Sequence, residues 1–254
     1  METDRRNAIQ RAADLISRAN RIVVFTGAGV STESGIPDFR SPGGIWDRYK
    51  PVDFSEFVAS KQARERYWTR SRETYPVLAA ASPNPAHLAI AELERRGKLD
   101  CVITQNVDGL HQKAGNSPDR VIELHGNTHW VVCLSCAHRS PRSEWQETLK
   151  SGTLEPRCPD CGGILKVLTV SFGQAMPERE TREAIRRSQL CDLFIVVGST
   201  LVVFPAADMP LYALESGARL IVVNLTPTYV DDRADVVICD KAGPALSAIV
   251  RESE

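Results

Sequence analysis

Residues 22–40 read IVVFTGAGVSTESGIPDFR. The apolar, β-branched run Ile22-Val23-Val24-Phe25 breaks after Thr26 into Gly27-Ala28-Gly29. Such a run has the character of a strand buried on both faces. A strand that feeds a glycine turn is how α/β proteins bring backbone N–H groups against a dinucleotide pyrophosphate, because only glycine lets the main chain come that close. The usual fingerprint asks for a third small residue at position 32, where Thr32 stands, and the next glycine is Gly35. The chain is therefore predicted to make a short helical turn after the glycines. It then leaves the sheet as an irregular loop through Pro37-Asp38-Phe39-Arg40. A bare GxG also fits an ordinary strand and turn. The fourteen-residue string GAGVSTESGIPDFR is far more specific.

With 254 residues, 43% hydrophobic and 25% charged, the sequence can bury a substantial core, as one large domain or a large one with a small insert. The net charge of −1 provides no global field for nucleic acid or anionic membranes. The longest apolar stretch, Leu193 to Ala207, is interrupted by Gly198-Ser199-Thr200 and reads as strand, turn and helix start. Met1 to Arg6 is charged, with no apolar signal core behind it, so a cytoplasmic, unprocessed protein is expected.

Working outward, residues 4–20 carry Ile9, Ala12, Ala13, Ile16 and Ala19 at the spacing of an amphipathic helix. From Ser41 to Ser82 aromatics cluster with Arg and Lys and no strand pattern appears, which predicts a helical insertion over the nucleotide loop. A helix over 85–96 leads to strand 101–104 and the polar loop Gln105-Asn106-Val107-Asp108. A short strand over 121–124 delivers His125-Gly126. After residue 168 the βα rhythm resumes: helix 178–188, strand 193–197, helix 206–216, strands 220–224 and 235–239, and a last helix over 244–251. This alternation predicts an α/β fold with a Rossmann-like, doubly wound parallel sheet. The sheet domain is assigned residues 1–40, 83–129 and 169–254. Two insertions interrupt it, a helical one (41–82) and a zinc-binding one (130–168).

The zinc expectation rests on Cys133/Cys136 and Cys158/Cys161, two CxxC pairs separated by 21 residues. In a reducing compartment such pairs argue for a tetrahedral metal site and not disulfides, with a redox pair as the alternative. Four protein ligands leave no open position for water, so the metal would be structural. Cys101, Cys191 and Cys239 lie beside apolar, strand-like residues and read as small buried hydrophobes.

Two strand-end clusters have chemical potential. His125 stands where α/β enzymes place reactive groups, and an imidazole can take a proton near neutrality; it can equally cap a strand. His87, His111, His129 and His138 receive no catalytic role. Gln105, Asn106 and Asp108 could serve ribose hydroxyls and a carboxamide, or simply make a turn. Gly198-Ser199-Thr200 after one strand and Asn224 after the next repeat the theme.

Taken together, GAGVSTESGIPDFR, TQNVDGLHQKAG, ELHGN, the CxxC pairs, GSTLVVFPAA and VNLTPT resemble the sirtuin family of NAD-dependent protein deacylases, in the family's order and over nearly the whole chain. The resemblance implies a large Rossmann-like domain with a small domain made of the helical insertion (41–82) and the zinc-binding insertion (130–168), NAD as co-substrate and one structural zinc. It places Gly27, Ala28, Gly29, Asp38, Phe39 and Arg40 at the phosphates and flexible flap. Gln105 and Asn224 would hold the riboses, with Gly198, Ser199, Thr200 and Ala242 at the adenosine end. Asn106, Val107 and Asp108 would bind the nicotinamide end, and His125 would act as general base. Phe39, His125, Val170 and Phe172 match positions lining a lysine tunnel. The implied partners are acyl-lysine proteins or peptides, with no nucleic acid or membrane, and a monomer is expected.

Phe172-Gly173-Gln174 stands where the family commonly has Phe-Gly-Glu, Ser171 where a bulky residue is frequent, and Gly198-Ser199-Thr200 inverts the usual Gly-Thr-Ser. Tyr67-Trp68-Thr69-Arg70 is similar to the Tyr-x-x-Arg pattern of sirtuins that remove acidic acyl chains such as succinyl or malonyl. The tryptophan within it also resembles sirtuins of weak, broad acyl activity. The rival readings are NAD-dependent mono-ADP-ribosyl transfer and a non-catalytic NAD-sensing module.

Overall fold

A computed structural model of the chain describes residues 2–39 and 42–254. Helix α1 (Glu2–Arg18) buries Ile9, Ala12, Ala13 and Ile16 and exposes the polar positions between them. Strand β1 (Ile22–Thr26) is buried at every position. The predicted short turn is a seven-residue 3-10 helix, Ala28–Ser34, ended by Gly35 at φ +80°. Helices α2 (Ile45–Arg48), α3 (Phe54–Ala59) and α4 (Lys61–Ala80) follow. Helix α5 (Pro85–Arg95) is capped at both ends of its first turn: Asn84 Oδ1 accepts from Ala86 N (2.9 Å), and His87 Nδ1 accepts from Asn84 N (3.4 Å).

Strand β2 (Leu99–Thr104), helix α6 (Leu110–Ala114) and strand β3 (Val121–Glu123) complete the first half. Then come β4 (Gly126–Cys133), β5 (Arg139–Pro141), α7 (Gln146–Lys150) and β6 (Leu165–Thr169). The second half runs α8 (Glu178–Leu190), β7 (Leu193–Val197), α9 (Met209–Glu215), β8 (Arg219–Val223), β9 (Val236–Ile238) and α10 (Ala242–Glu252).

The main sheet has the order β3-β2-β1-β7-β8-β9, all parallel. Successive strand residues point to opposite faces. Ile22 and Val24 join a core with α1, α5 and α10, while Val23 and Phe25 join a second core with Ala184 of α8 and Met209 and Ala213 of α9. This is the doubly wound arrangement expected.

The second sheet is antiparallel, β5-β4-β6. Its Val131, Leu165 and Val167 share a core with Phe57, Tyr67 and Trp68 of α3 and α4. The helical segment, expected over the nucleotide loop, therefore packs on this sheet as well. The helix expected over 206–216 is divided into a 3-10 turn, Ala206–Asp208, and α9. Cys101 and Cys191 are buried as expected. Cys239 is exposed, because it lies just past β9, where the chain has already left the sheet.

Candidate active site

From β1 the chain moves to one side of the sheet and from β7 to the other, so the carboxyl ends of these neighbours open the crevice where doubly wound folds take ligands. The loops there are locked together. Gly27 N–H donates to Val197 O (3.2 Å) and Gly29 N–H to Gly198 O (2.9 Å). A Cβ on Gly27 or Gly29 would meet Gly198 O at 2.8 Å, and one on Gly198 (φ +60°) would meet Val30 N at 2.3 Å. Backbone-on-backbone packing of two loops thus requires these glycines. This packing is a second reason for glycine here, beside the approach to a pyrophosphate expected from the sequence.

Next to this joint lies a cavity of about 1020 Å³, into which Ala28, Ser31, Phe39 and the whole segment Gln105–Asp108 project. His125, Val170, Phe172, Tyr67 and Arg70 line the same space. Gly198, Ser199, Thr200, Asn224, Ala242 and Asp38 do not line it. Ser199 is linked to it, because Gln105 Nε2 donates to Ser199 Oγ (3.0 Å). Asn224 stands at the end of β8 with its amide on Thr226 O (2.8 Å), and Ala242 opens α10. Asp38 O accepts from Ile45 N (2.9 Å), and Arg40 lies outside the described residues.

A buried network fixes the polar end. Asn106 Nδ2 donates to Gly27 O (3.1 Å) and Ser31 Oγ (3.0 Å), and Ser31 Oγ donates to Asp108 Oδ2 (2.8 Å). Asp108 Oδ1 accepts from Leu110 N (2.9 Å), which anchors the carboxylate to the first residue of α6. Asn106 N donates to Thr104 Oγ1 (3.0 Å), and Thr104 accepts from Thr26 (2.8 Å). Ser31 was not singled out from the sequence, although it is the hinge between the amide and the carboxylate; a lone serine after a glycine turn has no distinguishing pattern.

His125 enters from the turn between β3 and β4, and its Nδ1 lies 3.1 Å from Gln105 O. A carbonyl can only accept, so Nδ1 bears the proton and Nε2 keeps its lone pair. Burial pushes the pKa of His125 below the usual histidine value, more than the bond to Gln105 raises it. The ring is consequently an unprotonated base at neutral pH.

Behind the network sit His87 and His111, both buried, with ring centroids 5.0 Å apart. His111 Nε2 is 2.9 Å from Thr26 Oγ1. Burial pushes His87 well below its ordinary range and His111 down to about 3. Both rings are therefore neutral in the fold and gain protons more readily when unfolded. Their contribution to stability is complete above about pH 6.5 and is lost progressively as pH falls toward 3. Thermal unfolding followed across that window should show a falling midpoint, and His111→Asn should flatten the slope.

The four cysteines converge as expected. Their sulfurs all lie within 4.8 Å of one another, with Cys133–Cys161 at 3.5 Å and Cys136–Cys158 at 3.6 Å. Tetrahedral Zn–S bonds of about 2.3 Å set sulfurs about 3.8 Å apart, so the quartet fits zinc. A Cβ on Gly163 would come within 2.9 Å of Cys133 Sγ, so the second knuckle needs its glycine to close.

A doubly wound sheet with a polar switch-point crevice, joined to a four-cysteine module, defines a dinucleotide-dependent enzyme. The model of the Sir2 family matches residues 27–205, and the chain belongs to that family. It is 47% identical over 248 residues to NAD-dependent protein deacetylase 1 of Bradyrhizobium diazoefficiens, covering 98% of this chain and 97% of that one. A solved Sir2 structure with a deacetylated p53 peptide and 3′-O-acetyl-ADP-ribose is 37% identical, with a TM-score of 0.88 over 94% of this chain and 96% of that one. Sir2Af2 bound to a myristoylated histone peptide is 41% identical, with a TM-score of 0.79 over 98% and 97%.

Proposed function

We propose that this chain is an NAD-dependent protein-lysine deacylase that moves an acyl group from lysine to ADP-ribose, releases nicotinamide, and takes acetyl and succinyl- or malonyl-type chains. The observation that carries this reading is the placement of an unprotonated imidazole, His125, in one cavity with the Asn106–Ser31–Asp108 network. When bound, NAD supplies the sugar that accepts the acyl oxygen once nicotinamide departs.

The roles of the chain's residues follow from chemistry. Asn106 and Asp108 offer an amide and a carboxylate, the complementary pair for a carboxamide. Gln105 and Asn224 hold ribose hydroxyls, Ser199 with Gly198 and Thr200 serves the adenosine end, and Ala242 seats against the base. Ala28 faces the phosphates with Asp38, Phe39 and Arg40 of the flap. His125 Nε2 removes the proton from a ribose hydroxyl and so drives acyl transfer. Val170 and Phe172 guide the lysine stem, and close positioning makes a weak carbonyl nucleophile effective. A retained base supports acyl transfer over the ADP-ribosyl and NAD-sensing readings.

Acyl preference is set at one wall of this cavity. Tyr67 and Arg70 share one face of α4, with the guanidinium carbon 5.6 Å from the Tyr67 ring centroid. Burial raises the Tyr67 pKa, so its hydroxyl remains a donor. A phenol and a guanidinium together suit a terminal carboxylate. Arg70→Met is expected to lower kcat/KM for a succinyl-lysine peptide by about tenfold or more, leaving the acetyl peptide within about twofold. Equal losses on the two peptides would count against acidic-chain recognition. A myristoyl-lysine peptide in the same series tests the long-chain reading that the Sir2Af2 complex raises.

A further inference from the structure

Among the described residues, the β4–β6 sheet and the helices on it pair one buried cation and leave two others without a counter-charge. Arg64 of α4 is buried, and its Nε reaches Glu155 Oε1 at 2.6 Å, with Phe57 O and Val58 O on Nη1. Lys166 of β6 is only 1% exposed, yet its ammonium donates to Thr169 O and weakly to Val167 O (3.5 Å). Arg142 is 0% exposed and makes bonds of 3.3 Å to Ser71, with Nη1 unpartnered. Among the described residues neither has a carboxylate partner. Both lean on aromatic faces instead: Lys166 Nζ is 5.5 Å from the Tyr67 ring centroid, and the Arg142 guanidinium is 4.5 Å from that of Tyr75.

Burying charge without an ionic partner is costly. Ring quadrupoles and carbonyl dipoles offset only part of that cost. Burial lowers the pKa of Lys166 to about 7 and that of Arg142 to about 10, the mark of cations held where they are poorly solvated. Thr169 and Val167, which hold the Lys166 ammonium, and Ser71, which holds Arg142, all line the cavity beside Tyr67 and Arg70. The acid in that wall, Glu73, is already engaged by the Tyr49 hydroxyl (2.5 Å) and lies 3.6 Å from Arg72.

We propose that Lys166 is a specificity-determining residue, a charge one layer behind Tyr67 and Thr169 that draws the carboxylate of an acidic acyl chain into this end of the cavity. Arg142 adds to the same field. This proposal rests on the acidic-acyl reading of Tyr67 and Arg70 and deepens it. Lys166 is a positioning residue: it acts across the cavity wall and does not touch the reacting atoms. With its pKa lowered to about 7, Lys166 is about half protonated at neutral pH, and an approaching carboxylate favours the charged form. At an effective dielectric constant of about 20, a unit charge about 12 Å from a carboxylate changes affinity on the order of tenfold.

The test uses the intact enzyme and one peptide bearing acetyl-lysine, succinyl-lysine or the neutral terminal amide of succinyl-lysine. Lys166→Met keeps the stem and removes the charge. It is expected to raise KM for the succinyl peptide about tenfold, to leave the acetyl and amide peptides within about twofold, and to keep or raise the thermal midpoint. Lys166→Arg, which keeps the charge, should restore most of the preference for carboxylate over amide. Parallel losses on all three peptides with a lowered midpoint would make Lys166 a structural tie for β6 and overturn the proposal, as would an unchanged succinyl-to-amide ratio. Arg70→Met separates the layers. If it erases the preference while Lys166→Met does not, only the Lys166 proposal fails; if neither moves it, the acidic-acyl reading fails as well.

Discussion

His125→Ala is expected to lower turnover by about a thousandfold while the thermal midpoint and NAD affinity stay near those of the parent enzyme. Among the described residues the imidazole makes one side-chain hydrogen bond, to Gln105 O, so its removal leaves the Asn106–Ser31–Asp108 network standing. Mass spectrometry for acyl-ADP-ribose, with calorimetric NAD titration, separates lost chemistry from lost binding. Full turnover in the variant would sink the assignment of the base. The pH profile gives a second check. Because burial holds His125 below the usual histidine range, its base form persists on mild acidification, and the acid limb of kcat/KM should fall below pH 6.5.

The other large effect concerns the metal. Cys158→Ser, or exhaustive chelation, should take zinc content from one per chain to near zero and dismantle β4–β6. Structural zinc in small modules contributes apparent binding energies of about 10–16 kcal/mol, which here is folding energy for the β4–β6 sheet. Hydrogen exchange should show lost protection across β4–β6 while β1 and β7, buried on both faces, keep theirs. An enzyme fully active and fully protected without metal would refute this expectation.

The parallel strands were legible because burial on both faces forces uninterrupted apolar runs, as in Ile22–Phe25 and Leu193–Val197. The cysteine quartet was legible because thiolate spacing carries its own geometry. Helix α6 was not: five residues between left-handed Gly109 and Gly115 are too few to display a helical period. The antiparallel strands β4–β6 are short or half-exposed, so their alternation is weak. The packing of Gly27 and Gly29 on Gly198 joins segments about 170 residues apart, and no local pattern announces it. The same holds for His87 with His111 and for Lys166 beneath Tyr67, where a polar residue in the sequence gives no sign that it will be submerged.

Strand β6 has one more consequence. At its start Leu165 is paired with Cys133, and just past its end Val170 N–H holds His125 O at 2.9 Å. Six residues, Leu165 to Val170, thus tether the thiol cluster to the backbone of the proposed base. A distortion of the cysteine cluster therefore reaches the backbone that seats the imidazole through a single short strand.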